Sequence, residues 1–202
     1  MIKIISGKYK GRILSTPKNI RPILSSIKKS VFDILTPYLS GSIFLDLYAG
    51  SGAVGLEALS RGAKFCVFVE KDKNCLKVIS KNIISLNCQN ECYVIKADII
   101  KELIWLEKAK KVLKEKFNKE TFDIIFIGAP YVEKKSSKNF LLTNFATKTV
   151  EIIFNSNILN KDGLLIVQHI KKEKLQDYNK FCIREKTYGE TVVSFFKGLL
   201  TS

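Results

Sequence analysis

From Ile43 onward, nearly unbroken apolar runs alternate with longer stretches whose apolar positions recur every three or four residues. The runs are IFLDLY, FCVFVE, CYVIKA, FDIIFI and GLLIVQH, and their lack of polar alternation predicts strands buried on both faces. Between them, Ala53–Arg61, Lys73–Leu86, Ile99–Phe117 and Phe140–Leu159 are each long enough for a crossover helix. Asp72 and Asp98 stand at N-cap positions. The last segment, FCIREKTYGETVVSFFK, carries two strand-like runs around Tyr188-Gly-Glu190, which predicts an antiparallel hairpin closing a mostly parallel sheet. The fold class is therefore α/β.

Ahead of this unit, residues 1–24 form a basic, glycine-punctuated arm with short strand potential. Ile27, Val31, Ile34 and Leu35 follow helical spacing behind it, and Pro37 is expected to end that helix. The N-terminal MIKIISGKYKGR alternates apolar and basic residues, unlike a signal peptide, and no apolar run is long enough to cross a bilayer. A cytoplasmic location is expected. The five cysteines are odd in number and scattered, so reduced thiols are expected; Cys88 and Cys92 lack further ligands because the single histidine, His169, is remote. No metal is expected. With no nucleophile-elbow motif, His169 is read as a packing or hydrogen-bonding residue.

Charge changes the picture. The chain of 202 residues carries a formal net charge of +15, which favours a polyanionic partner such as nucleic acid. Only Arg12, Arg21, Arg61 and Arg184 among its 34 basic residues are arginines, so a lysine-rich composition accounts for part of that excess.

The candidate chemistry lies at the end of the first sheet strand. Asp46-Leu-Tyr-Ala-Gly50-Ser-Gly52-Ala-Val-Gly55 stands between a strand and a helix, and Glu70 ends the next strand. Glycines let the backbone turn tightly and approach a ligand, while an acid at the neighbouring strand tip can accept ribose hydroxyls. This is a nucleoside-binding constellation. For Asp98 an N-cap before Ile99 is explanation enough, and whether it also touches a ligand base stays open. Two cofactors fit the pattern: a nicotinamide dinucleotide matches the literal G-x-G-x-x-G spacing, and S-adenosylmethionine would place its cationic methionine part near Asp46. The absence of a separate substrate domain favours the methyl donor.

These residues resemble the bacterial guanine-N2 methyltransferases that modify small-subunit ribosomal RNA. The resemblance is carried by ISGKYKGR at 5–12, Arg21-Pro22, LDLYAGSGAVGLEALSRGA at 45–63, VEKD at 69–72, AD at 97–98, APY at 129–131 and KTYGET at 186–191. It implies a class I S-adenosylmethionine-dependent methyltransferase fold, Rossmann-like with seven strands. Residues 1–40 would then be an arm and helix packed on a methyltransferase domain of residues 41–202. It places the methionine part of the cofactor near Asp46, Gly50 and Gly52, the ribose at Glu70 and the adenine by Asp98. The catalytic stretch would be Gly128, Ala129, Pro130 and Tyr131, with Tyr131 stacking on a flipped-out guanine.

Lys8, Lys10, Arg12 and Arg21 would contact phosphates of ribosomal RNA or of an assembling small subunit, and the protein is expected to act as a monomer. Two departures from the family pattern fall on the substrate side. Gly128-Ala129 replaces Asp/Asn-Pro, and Ile23-Leu-Ser-Ser26 follows Arg21-Pro22 where Thr-x-Asp-Arg is usual. Losing one preorganised polar partner costs roughly 10²–10³ in rate. The alternative is accordingly a weakened or inactive homologue that acts as an RNA-binding or ribosome-assembly factor.

Overall fold

A computed structural model describes residues 2–18, 23–130, 133–136, 139–142 and 144–198. Its centre is a seven-stranded sheet built from β3 (Ile43–Leu47), β4 (Phe65–Glu70), β5 (Cys92–Lys96), β6 (Phe122–Gly128), β9 (Leu159–Ile170), β10 (Cys182–Tyr188) and β11 (Thr191–Lys197). The spatial order is β10-β11-β9-β6-β3-β4-β5. The pairs from β5 across to β9 are parallel, and the β10–β11 hairpin adds antiparallel to β9. Strand order reverses between β3 and β6, so their carboxyl ends open a crevice where ligands of such sheets bind.

Alternate residues of each buried strand feed two apolar layers. Phe44, Phe68, Phe126 and Ile166 pack with α1 (Ser25–Leu39), α2 (Ala53–Ser60) and α3 (Lys73–Leu86). Leu45, Val67, Ile125 and Val167 face α4 (Ile104–Phe117) and α5 (Phe145–Ser156). The arm joins the first layer: β1 (Ile2–Lys3) pairs antiparallel with β2 (Ile13–Leu14), burying Ile2, Ile4 and Leu14 against it. A buried ion pair fixes the same junction, with Lys28 Nζ 2.8 Å from the Glu57 carboxylate. The Glu57 carboxylate also accepts from the backbone N–H groups of Ile5 and Ser6 and from Arg61 Nε.

Three elements differ from the sequence expectation. Helix α1 runs past Pro37 to Leu39, because a proline in the final turn removes only one ladder bond. Residues 98–102 form a separate turn closed by Asp98, whose carboxylate accepts from Ile100 N and Lys101 N, so α4 starts only at Ile104. Trp105 then buries its indole and donates to the Ile99 carbonyl at 3.1 Å. The expected helix from Phe140 begins instead at Phe145, because β7 (Glu133–Ser136) and β8 (Asn139–Leu142) pair as an antiparallel ribbon ahead of it. Asp72 caps α3 as expected, accepting from Asn74 N and Cys75 N.

Among the described residues no helix is long and apolar enough to cross a membrane. The five cysteines are free, and no group of three or more His, Cys, Asp or Glu among those residues could hold a metal ion.

Candidate active site

The glycine turn leaves β3 through two left-handed residues, Gly50 at φ +58° and Gly52 at φ +77°. A side chain is strained in that region, so glycine permits the turn. Gly55 acts differently. A Cβ there would lie 2.3 Å from the Phe68 ring and 2.5 Å from Cys66 Sγ, so its absence lets α2 rest directly on β4.

The two acids of the constellation hold this turn in place. Glu70 Oε2 accepts from Gly50 N at 2.9 Å, while Oε1 accepts from Lys71 N at 2.8 Å and Asp72 N at 2.9 Å. A carboxylate offers about four acceptor sites, so Glu70 retains room for one ribose hydroxyl as it stands, on Oε2. Asp46 Oδ2 accepts from Gly55 N at 2.9 Å inside the first turn of α2. Burial, opposed by that amide bond and reinforced by the Glu70 charge, pushes its carboxyl up to about 8. Asp98 lies at the tip beyond β5, partly exposed and paired with Lys71 at 3.1 Å. Its carboxyl is held below its usual range: burial opposes ionisation, but the Lys71 contact and the amides of Ile100 and Lys101 outweigh it.

Tyr48 was not singled out by sequence reading. It is the one non-glycine residue other than asparagine with positive φ among the described residues, at +60°, a strained conformation of the kind that clusters at functional sites. Its hydroxyl is 2.8 Å from Thr149 Oγ1 on α5. Burial, with the charges of Asp98, Glu173 and Glu70, pushes the phenol up to about 12. Glu173, buried after β9, accepts from both Thr147 N and Thr147 Oγ1 near the start of α5. The sequence signal for Tyr48 was available: it stands inside the glycine turn, between Asp46 and Gly50.

In the stretch expected to be catalytic, Gly128 ends β6, Ala129 is buried and Pro130 is exposed. Gly128 faces the layer of Phe126, and a Cβ there would lie 3.1 Å from that ring. Tyr131 and Arg21 lie outside the described residues. In the arm, Lys8 pairs with Glu91, Tyr9 Oη donates to the same carboxylate at 3.2 Å, and Arg12 Nη2 donates to the Ser85 carbonyl at 2.6 Å. Lys10 is exposed. Asn82, buried in α3, accepts from Ser15 N at 2.8 Å and donates to Ser15 O and Ser51 O at 3.0 and 2.9 Å, so one side chain ties the arm to the glycine turn. His169 is buried, its Nε2 2.9 Å from Ser194 Oγ.

Relatives share this chain from end to end. YlbH of Bacillus subtilis is 32% identical over 97% of this chain and 98% of its own length. Ribosomal RNA small subunit methyltransferase D of Haemophilus influenzae is 32% identical over 96% of this chain and 91% of its own. A solved protein from a Thermus species superposes with a TM-score of 0.76 at 26% identity, covering 98% of this chain and 99% of that one. More distant neighbours share the fold alone, among them a methyltransferase from Geobacter metallireducens at TM-score 0.59 and 16% identity, covering 91% of this chain and 92% of that one. The architecture is that of the class I S-adenosylmethionine-dependent methyltransferases, shared with a putative methylase from Haemophilus influenzae at 29% identity and TM-score 0.73 over 98% of both chains. Residues 2–197 match the family model described as Conserved hypothetical protein 95, and the chain belongs to that family.

Proposed function

We propose that the protein transfers the methyl group of S-adenosylmethionine to the exocyclic N2 of a guanine in small-subunit ribosomal RNA. The observation that carries the choice of cofactor is the Asp46–Gly55 hydrogen bond. In a dinucleotide site the first amides of this helix face pyrophosphate; here a carboxyl group occupies one of them, and Glu70 occupies the Gly50 amide. Asp46, neutral at physiological pH, blocks that amide without adding charge, while Glu70, Asp98 and Glu173 stand around the turn of a strongly basic chain, an arrangement that repels phosphate and suits a cationic ligand. The residues fit the group. Glu70 would take a ribose hydroxyl, Asp98 would border the adenine, and Asp46, Gly50 and Gly52 would border the methionine part.

Bound there, S-adenosylmethionine supplies an electrophilic methyl on a sulfonium, a good leaving group. The protein then has to orient a weak nucleophile. A guanine N2 lone pair is delocalised into the ring, and acceptors for the amine hydrogens steer it toward the methyl. Gly128 and Ala129 have only backbone carbonyls to offer, Pro130 restricts the backbone that follows them, and the aromatic Tyr131, outside the described residues, would supply a stacking face for the base. Transfer would form the N–C bond as the S–C bond breaks, with the N2 proton passing to water. The name of the Haemophilus relative supports ribosomal RNA as the substrate. The binding-only alternative gains no support from the relatives.

The test is methyl transfer from labelled donor to undermodified small-subunit RNA or particles, followed by nucleoside mass spectrometry. N2-methylguanosine is expected. No incorporation above background, or a methyl on another base, refutes the proposal.

A further inference from the structure

Lys73, Lys77 and Lys81 recur every four residues along α3, sharing one exposed side over about 12 Å of helix. Helix α3 contains no acidic residue, and none of the three lysines joins an ion pair among the described residues. The other lysine-rich helices carry acids among their lysines. On α1 Lys29 pairs with Asp33, and on α4 Lys111 pairs with Glu115 and Lys114 with Glu120. A shallow depression of about 520 Å³ on the same side of α3 is lined by Leu76, Lys77, Ser80, Lys81 and Ile84. Ile84 is 64% exposed.

The two ends of this face give it a direction. Its carboxyl end touches the arm through Arg12 and the Ser85 carbonyl, next to exposed Lys10. Its amino end begins three residues beyond Glu70, at the rim of the cofactor crevice. We propose that the outer face of α3 is the docking surface for the phosphate backbone of the substrate RNA, leading it from the arm to the rim where a base is presented. This rests on the RNA methyltransferase reading above. It also moves the weight of phosphate binding away from Lys8, whose charge Glu91 already neutralises. Unpaired lysines on one face meet the main requirement for phosphate contact, accessible cations, and position the RNA without reading sequence.

The test compares the full-length protein with Lys77→Glu/Lys81→Glu and with a control of equal charge change on α4, Lys108→Glu/Lys111→Glu. Fluorescence anisotropy on an unmodified small-subunit RNA fragment is measured over a salt series, and S-adenosylmethionine affinity by calorimetry reports an intact fold. Loss of two phosphate contacts is expected to reduce the slope of log K against log salt by about 1.4 for single-stranded RNA. Affinity should fall at least tenfold in the α3 variant and little in the α4 control, with cofactor affinity unchanged in both. Equal losses in both variants would show diffuse electrostatics and overturn the assignment, as would wild-type affinity in the α3 variant. If the wild-type protein neither binds RNA nor methylates it, the function proposed above fails; if it does both and the α3 variant matches it, only the docking surface fails.

Discussion

Replacing Glu57 by alanine should detach the arm and remove a large part of the protein's stability. The Glu57 carboxylate is fully buried and accepts from Ile5 N at 2.9 Å, Ser6 N at 3.1 Å, Lys28 Nζ at 2.8 Å and Arg61 Nε at 2.8 Å. Lys28, 1% exposed, would keep only the Lys3 carbonyl at 2.8 Å. Breaking a buried pair by removing one partner costs about 3–5 kcal/mol, because the other charge is left without compensation. For a chain of this size each kcal/mol lowers Tm by roughly 2–4 °C, so a fall of about 6–20 °C is expected in a thermal melt. An internal control is Lys29→Ala, which breaks the exposed, solvent-screened pair with Asp33 and should leave the melt almost unchanged. The double variant Lys28→Met/Glu57→Leu should recover much of the loss, since an apolar pair of similar volume carries no desolvation penalty. Limited proteolysis should cut Glu57→Ala within residues 7–11 while sparing the wild type. A melt in which Glu57→Ala loses no more than Lys29→Ala would refute the view that this ion pair fastens the arm.

Other perturbations address the site itself. Asp46→Asn keeps an acceptor for Gly55 N but cannot ionise; because burial raises the wild-type carboxyl from its usual range to about 8, the stability linked to this one group is fully present below about pH 4. It should then decline relative to the variant as pH rises toward 8, a divergence that urea melts across that range would show or exclude. Glu70→Gln removes a charged acceptor from Gly50 N, Lys71 N and Asp72 N; a loss of about 1.5–3 kcal/mol, or roughly 10–150-fold in S-adenosylmethionine affinity, is expected by calorimetry, and unchanged affinity would contradict the ribose assignment. Gly128→Asp/Ala129→Pro restores the side-chain acceptor, and its new Cβ, 3.1 Å from the Phe126 ring, requires that ring to yield slightly; single-turnover methylation should accelerate tenfold or more, and no gain in a folded variant would mean that backbone acceptors suffice.

The parallel core was legible because strands buried on both faces cannot hide their apolar character, and FCVFVE and FDIIFI mark β4 and β6 almost residue for residue. Asp72 and the turn at Gly189 were legible because cap and hairpin chemistry is local. What escaped the sequence depended on partners distant along the chain. Glu57 looks like any acid on a helix until Ile5 and Ser6, some 50 residues earlier, present their amides to it. Asn82 is an ordinary polar residue of α3 until Ser15 and Ser51 converge on its amide. At the site, the glycines and acids were recognisable as a set, but their present hydrogen bonding was not. Glu70 and Asp46 spend acceptors on backbone N–H groups, so each acid shapes the turn before any ligand arrives.

That double use of charge bears on how the molecule divides its work. A chain of net charge +15 would hold RNA almost anywhere if its cations were evenly free. They are not: Lys8 is engaged with Glu91, Arg12 with the Ser85 carbonyl of α3, and Lys28 and Arg61 with Glu57 of α2. The acids that could neutralise the remaining lysines of α3 stand instead at the carboxyl ends of the strands, around the glycine turn. Separating the signs in this way leaves an unpaired cationic face for a polyanion and an acidic crevice for a cationic cofactor. Asn82, reaching from the inner side of α3 to both Ser15 and Ser51, is a direct connection between the two. An RNA held on the outer side of that helix would therefore press on the same rigid element that positions the glycine turn.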